Sequence, residues 1–191
     1  MAGSARYTAL LDANVLYPAP IRDLLLSLAA VGLYHARWTD RIQQEWVQNL
    51  EANRPELVGK FVQTVQLMNT AIPDCLVENY EHLIESLKLP DPDDRHVLAA
   101  AIAGHADAII TMNLKDFPPA ALEPHKIEAQ HPDEFLLNQL DLNEAAALFA
   151  IRAMRARLKS PPRSAEEFVE TFDQLGLPMT ASRLRQTIRL I

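Results

Sequence analysis

Over the first two thirds of the chain, short apolar runs alternate with stretches of helical apolar spacing. The last third carries helical spacing alone. Tyr7-Thr8-Ala9-Leu10-Leu11 reads as a strand running straight into Asp12. After Pro18 and Pro20, the apolar residues Ile21, Leu24, Leu25 and Leu28 recur at helical intervals, predicting a helix over 21–31. A second strand is expected at 33–36. Thr39 or Asp40 then caps a helix running to about Ala52, with Ile42, Trp46 and Leu50 on one face. Pro55 suits a helix start, and Leu57, Phe61, Val65 and Met68 supply its stripe. The pattern next predicts a strand at 71–77 and a helix at 80–87. Another helix opens at Pro90-Asp91-Pro92-Asp93-Asp94, with Val97, Leu98, Ala101 and Ile102 inward. Strands follow at 108–111 and around Ile127. Such alternation implies an α/β fold with a central parallel sheet covered by helices on both faces.

From Pro132 onward four helical segments are expected, at 135–140, 144–159, 166–175 and 181–190. Ser164-Ala165-Glu166-Glu167 has capping-box spacing, while Gly176 and Pro178 terminate the third segment. The chain therefore divides into an α/β domain over 1–130 and an α-helical C-terminal extension over 131–191. Lys159-Ser160-Pro161-Pro162 is the best linker candidate.

Composition narrows the class. With 49% hydrophobic and 23% charged residues, the 191-residue chain has a globular balance and enough length for a real core. The single cysteine, Cys75, cannot form an internal disulfide, which fits a reducing cytoplasm. Its apolar, strand-like neighbours argue against a nucleophile. No apolar h-region opens the chain, and no apolar run approaches bilayer length, so secretion and membrane insertion are not expected. Net charge is −7, with +4 on residues 151–191 and −11 on the remainder. That asymmetry reads either as a basic nucleic-acid contact or as solvated helix faces.

The candidate chemistry is acidic. Ligands of open parallel sheets bind beyond the carboxyl ends of the strands. Asp12 follows the first strand directly, and Asp94 lies in the first turn of a helix that precedes another strand. Glu45 flanks the buried stripe of its own helix. Gathered carboxylates repel one another unless they protonate or hold a cation, and hard cations such as Mg²⁺ or Mn²⁺ take oxygen ligands. Each acid also has a plain structural role open to it. Asp91 and Asp94 fit N-cap and N3 around Pro92, Asp12-Ala13-Asn14 fits a polar strand exit, and Glu45 fits a surface glutamate.

Three segments in order resemble one family. Leu10-Leu11-Asp12-Ala13-Asn14-Val15-Leu16-Tyr17 is similar to the opening of PIN domains, a strand ending in Asp-x-Asn followed by apolar residues. Residues 91–101 resemble their central helix, an Asp followed by an apolar, Ala-rich face. Residues 108–117 resemble the closing Thr-x-(Asn/Asp)-x-x-(Asp/Glu)-Phe, and Glu45 occupies the place of the second acid. The resemblance spans about residues 7–130 and includes the VapC-like toxins of toxin–antitoxin pairs.

The resemblance implies a Rossmann-like three-layer α/β/α domain and a Mg²⁺- or Mn²⁺-dependent ribonuclease. Core acids would be Asp12, Glu45 and Asp94, with Asn14 positioning a ligand or water near Asp12. Asn113 stands where the family often has a fourth acid, so Asp116 and Asp91 are further candidate ligands. Implied partners are RNA, a cognate antitoxin and a second copy of the chain. Thr111 is expected to hydrogen-bond within the site, and His96 to be structural. A catalytically inactive PIN-like module that binds RNA or a partner is the main alternative. An aspartyl-phosphate enzyme is weaker, because Asn14 stands where such loops carry a second acid. The segments at 164–175 and 180–190 superficially suggest a helix-turn-helix whose Arg183, Arg185 and Arg189 reach phosphates. The competing expectation is that this helix docks by its apolar face and its arginines meet water.

Overall fold

The computed structural model describes residues 7–159 and 161–191; residues 1–6 and Ser160, part of the linker candidate, lie outside the described residues. Four strands form one sheet: β1 (Thr8–Leu11), β2 (His35–Arg37), β3 (Ala108–Ile110) and β4 (Glu128–Gln130). Their order is β2-β1-β3-β4, and every neighbouring pair is parallel. Leu10, Leu11, Ile109 and Ile110 have no exposed surface, as expected of parallel strands covered on both faces. From β1 the chain proceeds to β2 on one side, and from β3 to β4 on the other. The carboxyl ends of β1 and β3 thus mark the topological switch point, where open sheets leave a crevice.

Two compact units emerge. The first holds the sheet and comprises the described residues up to Tyr17 together with Tyr34–His131. Its helices are α1 (Ala13–Leu16), α3 (Asp40–Asn53), α4 (Val62–Ala71), α5 (Arg95–Ala103) and α6 (Pro119–Leu122). The buried Thr39 hydroxyl accepts from the Ile42 N–H at 3.1 Å and so starts α3, while Ile42 and Trp46 are fully buried. Helix α5 packs on β1 and β3, and its residues from His96 to Ala101, three of them alanines, are buried. Small side chains let it lie close. It runs back against the strand direction, which brings its first turn to the carboxyl edge of the sheet.

The second unit comprises Pro18–Leu33 and Pro132–Ile191. Helix α2 (Ala19–Ala30) packs with α8 (Glu144–Ala156) and α9 (Ala165–Gln174), and α10 (Pro178–Gln186) packs on α7 (Pro132–Leu142) and α9. Its core contains Leu24, Leu28, Phe135, Ile151, Phe168 and Phe172, the last two edge to face at 5.1 Å. Ser164 and Glu167 form the capping box reciprocally at the start of α9. Asp133, buried, accepts from the backbone N–H of Met179 (2.9 Å) and Thr180 (2.7 Å), capping α10 from another helix. No helix among the described residues is long and apolar enough to cross a membrane.

Several elements differ from the sequence pattern. Residues 71–77 are not a strand: α4 runs to Ala71, and only an isolated parallel bridge joins Leu76 to Trp38. Pro73 lacks a ladder donor and Asp74 has φ +56°, so the segment cannot stay extended. Pro55 opens a single 3₁₀ turn, Pro55–Leu57, and Gly59 at φ +76° separates it from α4. Glu81–Ser86 is 3₁₀ instead of α. Pro178 opens α10, three residues before the helical spacing becomes regular at Ala181.

Candidate active site

Asp12 begins where β1 ends. Its backbone N–H extends the sheet ladder to the Ile110 carbonyl (3.1 Å), and the β1–β3 register places it beside Thr111. Its Oδ1 caps α1 by accepting from the Ala13 N–H at 2.7 Å. Its Oδ2 accepts from Asn14 Nδ2 (2.6 Å) and Thr111 Oγ1 (2.8 Å). Thr111, fully buried, accepts in turn from Asn14 Nδ2 (2.9 Å) and the Asn113 N–H (3.0 Å). Asn14 Oδ1 accepts from the Met112 N–H at 2.9 Å. The network stitches the ends of β1 and β3 together and spends the whole hydrogen-bonding capacity of the Thr111 hydroxyl. Asp12 retains lone-pair capacity on Oδ1. Burial pushes its carboxyl upward, against the pull of the Thr111 and Ala13 hydrogen bonds, and the net shift is upward.

Glu45 projects from α3, and its Oε1 accepts from Arg41 Nε (3.1 Å) and His96 Nε2 (2.9 Å). Burial pushes its carboxyl up, but the hydrogen bonds and charges of His96 and Arg41 win, leaving it below the usual range. His96 is 2% exposed, its Nε2–H donates to Glu45, and its Nδ1 has no partner among the described residues. Asp94 ends the 3₁₀ turn Pro92–Asp94 and leads into α5. Burial, then the neighbouring charges of Asp12, Asp91 and Asp116, push its carboxyl up to about 6.

Asp12, Asn14, Glu45 and Asp94 line one cleft of about 470 Å³, together with Ala13, Tyr17, Asn49, Asn53, Asp93 and His96. Asp91, Asn113 and Asp116 are not among its lining residues. Asp91 instead caps its own turn by accepting from the Asp93 N–H at 2.8 Å, which is the structural role open to it in the sequence. Asp94 makes no such cap bond. The Asn113 amide donates to Asp116 Oδ2, holding the two side chains to each other. Asp91 and Asp116 nevertheless act on Asp94 through their charge. His96, read from the sequence as structural, is buried and also grips Glu45. The cleft residues missed by sequence reading had one signal: Glu45, Asn49 and Asn53 recur every four residues on α3. Cys75 lies elsewhere, and burial pushes its thiol up to about 11.

The PIN domain model matches residues 8–115, more than half of the chain. The chain belongs to the PIN-domain family. Beyond that PIN domain, residues 132–186 match the VapC50 C-terminal domain. A Mycobacterium tuberculosis protein named "Putative ribonuclease VapC50" is 43% identical over 93 residues, which cover 49% of this chain. The matched stretch is 54% of that relative, so the comparison spans about half the length of each protein. No solved structure gives a significant match.

Among the described residues, no three or more His, Cys, Asp or Glu side chains of this PIN-domain chain are arranged as a ready-made metal cage. A hard cation of the Mg²⁺ type does not require one, because it is held by one or two carboxylates with waters and substrate oxygens. The donor set fits that description. Burial and the charge of Glu45 raise the Asp12 carboxyl, burial and the charges of Asp12, Asp91 and Asp116 raise that of Asp94, and the Asp94 carboxylate has no hydrogen-bond partner among the described residues. His96 commits its Nε2 to Glu45, so the groups left open toward the cleft are chiefly carboxylate oxygens, the donors that a hard cation takes.

Proposed function

We propose that this PIN-domain chain is a divalent-metal-dependent endoribonuclease that hydrolyses RNA phosphodiester bonds, as the toxin of a VapBC-like pair. The observation that carries this reading is the crowding of Asp12 and Asp94 in one cleft at the switch point, with both carboxyls raised. Likeness to the VapC50 relative and to the VapC50 C-terminal domain supports the ribonuclease and toxin parts. On this reading the partners are RNA, a cognate antitoxin and a second copy of the chain, and the enzyme works in the cytoplasm.

Asp12, Glu45 and Asp94 would hold Mg²⁺ or Mn²⁺. When bound, such a cation offsets charge developing on the phosphate and makes water a stronger acid. Asn14 and Thr111 fix Oδ2 of Asp12, leaving Oδ1 to bind. His96 and Arg41 hold Glu45 ionised and oriented. Asp91 and Asp116, the latter held through Asn113, add negative potential at Asp94. The saturated Thr111 hydroxyl is not a nucleophile.

Asp12→Asn is expected to lower metal-dependent RNA cleavage by at least about 100-fold with an unchanged circular dichroism spectrum. Full activity in that variant, or wild-type cleavage undiminished by EDTA, would overturn the assignment. The neutral Asn113 in the family's fourth acid position favours a second reading, a binding module without catalysis. Calorimetric Mn²⁺ titration of wild type and Asp94→Ala separates the two, because a vestigial site shows no difference between them.

A further inference from the structure

The cleft is chemically two-sided. Its carboxylates gather around Asp12 and Asp94, whereas Tyr17, Asn49 and Asn53 line another part with neutral hydrogen-bonding groups. No lysine or arginine is among its lining residues, so the cleft wall offers a phosphate no side-chain cation. On α3, Glu45, Asn49 and Asn53 stand at four-residue steps, so one helix face runs about 12 Å from the acidic cluster outward. Asn53 Nδ2 donates both to the Tyr17 hydroxyl (3.2 Å) and to the Asn49 carbonyl (2.9 Å). That leaves Asn53 Oδ1 as an acceptor and the Tyr17 O–H as a donor. The exposed Asn49 amide has no partner among the described residues and offers one acceptor and two donors side by side.

We propose that Tyr17, Asn49 and Asn53 form a base-reading subsite for the nucleotide next to the scissile phosphate of single-stranded RNA. The proposal rests on the ribonuclease reading above and adds a source of sequence preference to it. Paired neutral donors and acceptors match the edge of a nucleobase, and carboxamides recognise such edges bidentately. A base can present that edge to a protein cleft when it is unpaired, which selects single-stranded RNA over duplex. The bridge from Asn53 to Tyr17 fixes the direction of both groups before the base arrives. The spacing along α3 separates the site of chemistry from the site of reading, so substitutions in one need not alter the other.

The test uses the full chain and a pool of short single-stranded RNAs randomised around one position. Cut sites are mapped by sequencing with Mg²⁺, and binding is read by fluorescence anisotropy with Ca²⁺ in its place. Wild type should prefer one or two bases beside the cut. Tyr17→Phe, Asn49→Ala and Asn53→Ala should each flatten that preference and weaken binding of the preferred RNA by about 3- to 10-fold. Unchanged preference and affinity in all three variants would overturn the subsite. If wild type cuts no RNA yet binds with a base preference that Asn49→Ala removes, the subsite stands and the nuclease reading falls.

Discussion

At the scale of single residues, Asp94 carries the cost of the assembled carboxylates. Its folded-state carboxyl titrates at about 6 against an ordinary value of 3.8. A group raised on folding binds its proton more tightly in the native state. Native stability from this group is therefore fully present below the ordinary value and is lost as pH rises through about 6. Asp94 is half-buried, so solvent screening reduces the effect to about 1 kcal/mol. In EDTA, urea unfolding should show Asp94→Asn gaining about that much over wild type at pH 7.5 and nothing at pH 4. Equal gains at both pH values would show that the charge of Asp94 is not the cause. Glu45 shifts the other way because Arg41 and His96 reach it directly. Two acids of one cleft are thus set apart by their immediate partners.

At the scale of elements, the turn from α5 into β3 is held by a close approach that only glycine fits. A Cβ on Gly104 would lie 2.8 Å from Val77 Cγ2 and 2.9 Å from the Ala100 carbonyl oxygen. The second contact is backbone and cannot give way. Gly104→Ala should therefore destabilise the protein by about 1–3 kcal/mol despite alanine's better helix propensity, read as a lowered Tm. An unchanged Tm would show that the turn relaxes. The same neighbourhood explains why 71–77 misled the sequence reading. Its apolar residues do reach the core, with Ile72, Cys75 and Val77 buried. A strand also needs a partner along its length, and only the exchange between Trp38, Cys75 and Val77 is made (2.9 and 2.8 Å). Asn69 Oδ1 anchors this corner instead, accepting from Trp38 Nε1 (3.0 Å) and Gln43 Nε2 (2.9 Å).

At the scale of the whole molecule, the uneven charge along the chain loses much of its apparent meaning. Arg183 pairs with Asp141 (3.1 Å) and Glu144 (2.8 Å), and Arg185 with Glu170 (3.1 Å) and Asp173. Two of the eight basic residues in 151–191 thus face acids of their own unit. Arg183→Ala and Arg185→Ala should leave RNA affinity within about 2-fold of wild type and keep its salt dependence. A salt slope reduced by about one charge per substitution would show that these arginines meet phosphates.

The sequence by itself determined what depends on near neighbours. The Thr39 cap, the Ser164–Glu167 capping box and the proline-led turn into α5 all follow from contacts a few residues apart, and the apolar run ending at Asp12 marks a strand by its own letters. It also ordered Asp12, Glu45 and Asp94 along the chain in a way one family shares, and those residues line the same cleft. Only the tertiary structure decided which polar groups meet. It gave His96 to Glu45, joined Thr111 to Asp12 and Asn14 across the sheet, and set Tyr17 beside Asn53. It also grouped α2 with the C-terminal helices, a grouping that sequence order conceals. Helix caps close within one turn and are written in adjacent letters. Side chains from β1, α3 and α5 converge only after the sheet has paired, so no local pattern encodes their contacts.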